Sequence, residues 1–184
     1  MEARLYDNNT IDDYYDLPEG SHIELIDGCF YNMAAPNTKH QALVVELSTI
    51  INSYIKSKKG SCRIFPAPFS VWLRKEEDTV VEPDISVICD PDKINDRGCE
   101  GAPDWIIEIV SPSDPAHDYI VKLRKYLSAG VREYWIVDPT SEVVTVYTQD
   151  ASLRFPSVYT FKDKVPAGIY GDLTIDFREI SEGL

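Results

Sequence analysis

The chain has 184 residues, of which 43% are hydrophobic and 11% aromatic, and this composition excludes a disordered chain and suits one folded domain. Its formal net charge is −13, which counts against simple nucleic-acid binding because phosphate contacts need Lys and Arg. No apolar run approaches the roughly 20 residues that span a bilayer, and the N-terminus lacks the basic start and apolar stretch of a secretory signal, so we expect a cytoplasmic protein that contacts no membrane.

The N-terminal region predicts a short helix and a β-hairpin. Ile11–Asp16 favours a helix, and Pro18-Glu19-Gly20 favours a turn. Two apolar runs, His22–Ile26 and Cys29–Met33, flank Asp27-Gly28. Asp-Gly between apolar runs is a strong hairpin signal, so we expect the two runs to pair as antiparallel strands.

A longer helix is predicted next, over Thr38–Lys56, with Asn37 or Thr38 as its N-cap. Apolar side chains recur along it at helical spacing, at Leu43, Leu47, Ile50 and Tyr54. This stripe is expected to face the core, and His40 lies on the same face.

The middle of the chain predicts short apolar strands. They are Arg63–Phe65, Phe69–Leu73, Asp84–Ile88 and Trp105–Val110. The first two are expected to pair around Pro66-Ala67-Pro68. The polar segment Asp90–Ala102 contains two glycines and is predicted to be a loop.

The last third predicts one helix followed by strands. Ser113 or Asp114 can cap a helix that has Pro115 in its first turn and ends at Ala129, before Gly130. Strands are predicted at Glu133–Val137, Val143–Tyr147 and Tyr159–Phe161. Helices mixed with strands favour an α/β or α+β structure with a central mixed β-sheet flanked by helices, an N-terminal hairpin and a β-rich C-terminal extension. We expect one domain over residues 1–184, with its core at about 38–140.

The four cysteines, Cys29, Cys62, Cys89 and Cys99, form no C-x-x-C pair. That spacing does not indicate a zinc site, and disulfides are unexpected in a reducing compartment. All four are therefore interpreted as packing or loop residues.

Two carboxylates stand in unusual settings. Asp84 follows Pro83 and opens an apolar strand, and Glu108 lies inside the apolar run Trp105–Val110. Burying an acid in such a run is costly unless it is paired or bound to a metal ion. Two interpretations stay open here, a metal ligand and a salt bridge to Arg or Lys.

A lysine on the following helix is the third candidate. Asp118, Lys122 and Tyr126 are spaced i, i+4, i+8 and form one row. Lys122 borders the buried face, and its long side chain can reach inward, although a surface ion pair with Asp118 is the alternative. Two acids and a lysine suit phosphodiester hydrolysis, in which the acids bind Mg²⁺ and the lysine positions water or neutralises developing charge. The sequence contains no G-x-S-x-G, Walker or G-x-G-x-x-G motif.

Pro83-Asp84 and Glu108 resemble the two acidic elements of the PD-(D/E)XK nuclease superfamily. More specifically, the chain resembles the bacterial Uma-type family of restriction-endonuclease-like proteins. The segments that carry this resemblance are Glu24–Gly28, His40, Glu82–Asp84, Pro103–Ser113, the row Asp118, Lys122 and Tyr126, and Gly130–Pro139. Several matches in order at fitting intervals make the resemblance specific.

The resemblance implies a restriction-endonuclease-like fold with Asp84 and Glu108 as ligands of Mg²⁺ or Mn²⁺. It also implies that Lys122 replaces the lysine that the superfamily places two residues after the second acid, because this chain has Val110 there. Tyr126 resembles the helix tyrosine of related nuclease branches.

Glu24 and His40 match the family pattern as further candidate catalytic residues. Glu24 adds a carboxylate to the site or pairs within the first hairpin. His40 contacts the phosphate or is a hydrogen-bonded core histidine. Glu46 borders the same helix stripe and is a weaker candidate for the first-helix acid of some of these nucleases.

The leading hypothesis is a Mg²⁺-dependent endonuclease that hydrolyses DNA phosphodiester bonds. One alternative is a non-catalytic nuclease-fold module for binding or regulation, which the charge of −13 motivates. Another is a nuclease that acts on RNA or small phosphodiesters. A homodimer is a further expectation, since exposed strands of the β-rich tail can pair.

Overall fold

The computed structural model describes residues 8–74, 76–111, 117–149 and 155–183. Within these ranges the helices, in chain order, are α1 (Ile11–Tyr15), α2 (Thr38–Ser57), α3 (Leu123–Ala129) and α4 (Phe177–Glu182). A π-helical segment, His117–Lys122, leads directly into α3, and a 3₁₀ turn occupies Pro91–Lys93. None of the helices in this described part has the length and apolar character needed to cross a membrane.

The strands of the described residues fall into two six-stranded sheets and one two-stranded sheet. In chain order they are β1 (Ile23–Ile26), β2 (Cys29–Asn32), β3 (Arg63–Pro66), β4 (Val71–Trp72), β5 (Val80–Val81), β6 (Ile85–Ile88), β7 (Ile94–Asn95), β8 (Gly98–Glu100), β9 (Trp105–Ile109), β10 (Glu133–Asp138), β11 (Val143–Thr148), β12 (Ser157–Thr160), β13 (Lys164–Pro166) and β14 (Thr174–Asp176). The α+β class with a mixed sheet is confirmed.

The central sheet has the strand order β12-β11-β10-β9-β6-β3, in which β9 and β10 are parallel and the other neighbours are antiparallel. All five residues of β9 are buried, because elements cover both faces of this strand. Ile107 and Ile109 pack on the side of α2, whereas Ile106 and Val110 pack with Tyr126 on the other side. Since side chains alternate along a strand, Glu108 belongs to the face that Tyr126 covers.

Helix α2 confirms its prediction closely. The Asn37 side chain caps it by accepting a hydrogen bond from the His40 backbone N–H. Leu43, Leu47 and Ile51 are fully buried along its inward stripe and pack in the same core cluster as Ile107 of the central sheet. This packing fixes the start of α2, and therefore His40, above the sheet.

The predicted hairpin forms, with Ile26 opposite Cys29 and positive φ angles of 51° at Asp27 and 73° at Gly28. It is not a separate extension, however, because Leu25 pairs with Val80 of β5. The hairpin thus belongs to the second six-stranded sheet, of order β2-β1-β5-β4-β8-β7. That sheet brings β1 towards the central sheet.

The predicted pairing of Arg63–Phe65 with Phe69–Leu73 is wrong. Strand β3 pairs with β6 in the central sheet, whereas β4 pairs with β5 and β8 in the second sheet. Pro66 and Pro68 have no N–H to donate to a ladder, and the Ala67 N–H bonds to the Asp84 carbonyl instead. The segment therefore connects two sheets instead of closing a hairpin.

The loop predicted at Asp90–Ala102 is also partly wrong, since it contains the 3₁₀ turn and the β7–β8 hairpin. Gly98 has a φ of 137°, and a Cβ there would lie 2.1 Å from the Ser70 carbonyl oxygen. The glycines that suggested a loop thus include one that permits close approach of two backbones.

The disulfide prediction is wrong for one pair, because Cys62 and Cys89 are bonded to each other. They flank the paired residues Arg63 and Ile88, so the pairing of β3 with β6 brings them together. Cys29 and Cys99 lie outside this bond and are buried. The predicted caps at Ser113 and Asp114 lie outside the described residues, but the predicted helix end at Gly130 is confirmed by its φ of 99°.

Candidate functional site

Asp84 and Glu108 are brought together by the pairing of two neighbouring strands. Asp84 immediately precedes β6, and the antiparallel register of β6 with β9 pairs Ile85 with Ile107, which places Asp84 opposite Glu108. The Asp84 backbone N–H lies 3.4 Å from Glu108 Oε2. The two acids are 9% and 3% exposed, so they form one largely buried carboxylate pair.

Asp84 is held by groups from the helix layer and from the sheet. His40 Nε2 lies 3.1 Å from Asp84 Oδ2, and the Ile109 backbone N–H donates to the same oxygen at 2.7 Å. Both contacts involve Oδ2, so they fix the carboxylate in one orientation. His40 is itself buried and hydrogen-bonded, as the interpretation as a core histidine predicts, and it lies in the lining of the candidate site.

Lys122 reaches inward and is not part of a surface ion pair. It is 3% exposed, and its Nζ lies 2.9 Å from Glu24 Oε1 and 3.0 Å from Glu108 Oε1. Asp118 Oδ1 is farther away, at 3.8 Å. The ammonium group therefore bridges a carboxylate of the second sheet and a carboxylate of the central sheet.

Glu24 and Tyr126 complete this bridge. Glu24 Oε1 accepts a hydrogen bond of 2.9 Å from the Glu82 backbone N–H, and the contact with Lys122 excludes pairing confined to the first hairpin. Tyr126 donates its hydroxyl proton to Glu108 Oε1 over 2.6 Å. The row of Asp118, Lys122 and Tyr126 thus faces the site as its spacing indicated. Glu46 is exposed on α2 and lies outside the lining of the site cavity.

Sequence reasoning missed His117 and underused Glu82. His117 Nε2 lies 3.2 Å from Glu24 Oε2, and Tyr14 donates to Glu82 Oε1 over 3.2 Å. Glu82 stood in the matched Glu82-Pro83-Asp84 segment, which was an available signal. No sequence pattern indicates a role for His117, because its partner Glu24 is 93 residues away and its π-helical backbone depends on the folded chain.

The acids of this cluster and Lys122 border a cavity of about 700 Å³. The three histidines of the chain, His22, His40 and His117, all line it. Apolar lining comes from residues 33–36 and from Ala67 and Pro68. The buried ionic cluster is therefore reached through a partly apolar opening.

The two carboxylates that contact Lys122 have pKa values shifted in opposite directions. Burial raises the pKa of Glu24, but the Lys122 ammonium and His117 outweigh it and lower the pKa to about 2. Burial raises the pKa of Glu108 well above its ordinary value, and Asp84 adds to that rise while Lys122 opposes it. Lys122 thus stays charged, since burial lowers its pKa but Glu108 and Glu24 raise it well above the usual range.

The pKa values of Asp118 and His40 are both raised, which favours their protonated forms and so reduces the excess negative charge of the site. Burial raises the pKa of Asp118 to about 6, with Glu24 contributing and Lys122 opposing. Burial lowers the pKa of His40, but its hydrogen bond to Asp84 prevails and raises the pKa overall. The site therefore holds more acid than its cations neutralise.

The donor set fits a hard divalent cation. Five carboxyl groups line the cavity, at Glu24, Glu82, Asp84, Glu108 and Asp118. Among the described residues of that lining, Lys122 is the one lysine and no arginine occurs. Carboxylate oxygens are the ligands that Mg²⁺ takes, and it keeps several waters, so two protein ligands suffice. No three His, Cys, Asp or Glu side chains within the described ranges are already arranged as a metal cage.

The comparisons with known proteins agree with this fold. The family model described as "Putative restriction endonuclease" (Uma2) matches residues 11–174. The solved structure of "a putative nuclease belonging to DUF820" from Anabaena variabilis superposes with a TM-score of 0.78 and 26% identity, covering 95% of this chain and 98% of that one. A Synechocystis protein, "Uncharacterized protein slr1290", is 28% identical over 125 residues, which span 67% of this chain and 64% of that protein. On the extent of the first match, the chain belongs to the Uma2 family.

Proposed function

We propose that this chain is a divalent-metal-dependent nuclease that hydrolyses phosphodiester bonds of DNA. The observation that carries the proposal is the placement of Asp84 and Glu108 side by side at the buried end of a cavity, with the Lys122 ammonium 3.0 Å from Glu108. Membership of a family described as restriction endonucleases and the likeness to a nuclease structure support the reaction class.

Asp84 and Glu108 are the proposed holders of Mg²⁺ or Mn²⁺. Asp84 is oriented by His40 and the Ile109 N–H, and Glu108 by Tyr126 and Lys122. A bound divalent ion supplies charge stabilisation at the phosphate and acidifies a water ligand. It would also neutralise part of the excess negative charge that raises the pKa values of Glu108 and Asp118.

Lys122 is the proposed electrostatic residue for the reacting phosphate. Its ammonium has three donors, and Glu24 and Glu108 hold it in place from two sides. A phosphate that enters the cavity can take one of its donors, so that the ammonium stabilises the negative charge developing there. Glu24 is a positioning residue in this scheme, because it acts through Lys122.

The test is cutting of circular single-stranded DNA and of supercoiled plasmid by purified protein with Mg²⁺ or Mn²⁺, with and without EDTA. We expect metal-dependent cutting of one or both substrates that Asp84→Asn reduces by about a hundredfold or more. Glu46→Gln is the matched control, since it neutralises an exposed acid on α2 outside the cavity and should leave the rate unchanged. Equal rates for wild type and Asp84→Asn would refute the assignment.

A second candidate function is a non-catalytic binding or regulatory module of the nuclease fold. The observation that favours it is the neutralisation of Glu24 and Glu108 by Lys122, together with the lack of a preformed three-ligand cage among the described residues. Isothermal titration with Mg²⁺ or Mn²⁺ distinguishes the two. Saturable millimolar binding that Asp84→Asn removes supports the enzyme, and a folded protein without such binding supports the module.

A homodimer is also proposed. Strand β12 lies at the end of the central sheet, and Phe155 and Val158 near it are 82% and 64% exposed. An edge strand with apolar side chains can pair with a second copy. Light scattering of the wild type and of Val158→Lys measures whether a dimer forms and whether this edge holds it.

A further inference from the structure

The cavity above the proposed catalytic residues combines a charged end with apolar sides. Glu108 and Lys122, at its buried end, are each 3% exposed. Its apolar sides come from Tyr31 and residues 33–36, which follow the first hairpin, and from Ala67 and Pro68 between β3 and β4. Residues 34–36 are exposed, and so are the polar lining residues His22, Asn32, Asn37 and Gln41. The described rim of the cavity is therefore partly apolar and partly polar, and the acids lie at its buried end.

Tyr31 is fixed beside the charged end by the register of the first hairpin. It pairs directly with Glu24, and side chains that face each other across an antiparallel pair project to the same side of the sheet. The Tyr31 ring centroid lies 5.2 Å from that of His117, at an interplanar angle of 43°. Tyr31 is half-buried, so part of its ring surface faces the cavity that it lines.

The charge of the lining argues against a duplex held at this opening. A protein that holds duplex DNA neutralises many phosphates with Lys and Arg. Here the described lining offers five carboxyl groups and only Lys122 as a permanent cation, and Glu24 and Glu108 already pair with it. Affinity must therefore come from contacts other than phosphate neutralisation along two strands.

The volume of the cavity also argues against a bound duplex. About 700 Å³ is the size of a pocket for a small organic molecule, and it admits one or two nucleotides but not a paired duplex. Unpaired bases are recognised by stacking on aromatic rings, and this contact tolerates any base because each has a π-face. Tyr31 is an aromatic ring in the lining of this cavity, directly across the strand pair from Glu24.

We propose that the cavity binds an unpaired nucleotide of a single-stranded nucleic acid, with its base stacked on Tyr31 and the adjacent phosphodiester at Asp84 and Glu108. This inference rests on the proposed nuclease function and specifies its substrate class as single-stranded rather than duplex. Tyr31 is then a specificity-determining residue, because a base inside a duplex is already stacked and cannot occupy this place.

The test compares a labelled single-stranded DNA, the same sequence as RNA, and the DNA as a blunt duplex, all with Mg²⁺ or Mn²⁺. We expect a single-stranded substrate to be cut at least about tenfold faster than the duplex, and the DNA and RNA arms report which sugar is accepted. Tyr31→Ala should raise KM for the single strand about tenfold, with a smaller change in kcat. Tyr31→Phe keeps the ring and should stay near the wild type.

Binding by Asp84→Asn protein with Mg²⁺, followed by fluorescence anisotropy, separates this inference from the proposed function. Single-strand binding that Tyr31→Ala weakens, without cutting by the wild type, would support the pocket and refute the nuclease. Cutting of duplex and single strand at equal rates, or cutting that Tyr31→Ala leaves unchanged, would refute the pocket and retain the nuclease. Absence of both binding and cutting would overturn both.

Discussion

The Lys122 ammonium lies 3.0 Å from Glu108 Oε1, although the lysine is on the helical segment that follows strand β9 and not on the strand itself. Position 110, where the PD-(D/E)XK superfamily that the sequence resembles has its lysine, holds a valine that is 4% exposed and packs in one cluster with Tyr126 and Ile136. The cation thus reaches the second acid from the helix layer. Because Glu24 holds it from the other side at 2.9 Å, Lys122 joins the two six-stranded sheets.

Replacing Lys122 by methionine should destabilise the protein as well as abolish cutting. The change leaves the carboxylates of Glu24 and Glu108 buried without their cation, which costs about 3–5 kcal/mol for a buried pair. Urea unfolding followed by tryptophan fluorescence measures the loss. Lys162→Met is the control, since Lys162 is exposed and its replacement should change the free energy of unfolding by less than about 0.5 kcal/mol. An unchanged unfolding midpoint for Lys122→Met would contradict the buried bridge.

Tyr126→Phe isolates the hydrogen bond that orients Glu108. The hydroxyl donates to Glu108 Oε1 over 2.6 Å, and such a hydrogen bond contributes about 0.5–1.5 kcal/mol, or up to about 3 kcal/mol when the acceptor is charged. We expect a loss of that order in the free energy of unfolding and a fall in the nicking rate. Tyr159→Phe, at a partly buried ring on the edge of the core, should cost less than about 0.5 kcal/mol. Equal losses for the two variants would show that the hydroxyl of Tyr126 carries no special contact.

Much of the site's framework could be predicted because it depends on local patterns. Glu108 interrupts an apolar run, Asp27-Gly28 specifies a hairpin turn, and Asn37 caps a helix whose apolar stripe repeats at helical spacing. Each of these signals lies within a few residues of the feature that it predicts. Local propensity and periodicity therefore sufficed for them.

The remaining features depend on contacts between distant parts of the chain. The bond between Cys62 and Cys89 needs the pairing of two strands, and the contacts of Glu24 with Lys122 and His117 need the packing of a helical segment against a distant sheet. The sequence specifies neither arrangement. The same limit explains why residues on either side of Pro66 were assigned to one hairpin. Prolines mark the turn, but they do not indicate that the chain passes from one sheet to another.

The metal-free protein should lose stability as the pH rises from 5 to 7. Burial raises the pKa of Asp118 to about 6, above its value of 3.8 in the unfolded chain. Protonation of Asp118 therefore contributes its full stabilisation below pH 3.8, and this contribution falls as the pH rises and is lost once the pH has passed through 6. His40, with a raised pKa, acts in the same direction. The Asp118 contribution lost over this window is roughly 1 kcal/mol.

Urea unfolding at pH 5 and pH 7 in EDTA measures this difference. Asp118→Asn removes one titrating group and should reduce the pH dependence, whereas Asp12→Asn, at an exposed position in α1, should not. A wild-type protein that becomes more stable between pH 5 and pH 7 would contradict the raised pKa values.

Placing a lysine at position 110, directly after β9, should restore part of the activity that removal of Lys122 abolishes. Val110 directly follows β9, and its N–H bonds to the Val137 carbonyl of β10, so the extended backbone continues and a lysine at 110 points to the side on which Glu108 lies. We expect Lys122→Ala to reduce metal-dependent nicking by about a hundredfold or more, and Val110→Lys with Lys122→Ala to recover about tenfold of that loss. Val110→Lys alone is the control for the strain of inserting a long side chain into the cluster around Tyr126. If the double variant has a cooperative melting transition and still cuts no faster than Lys122→Ala, the ammonium acts through its helical position, and its proximity to the acids is not sufficient.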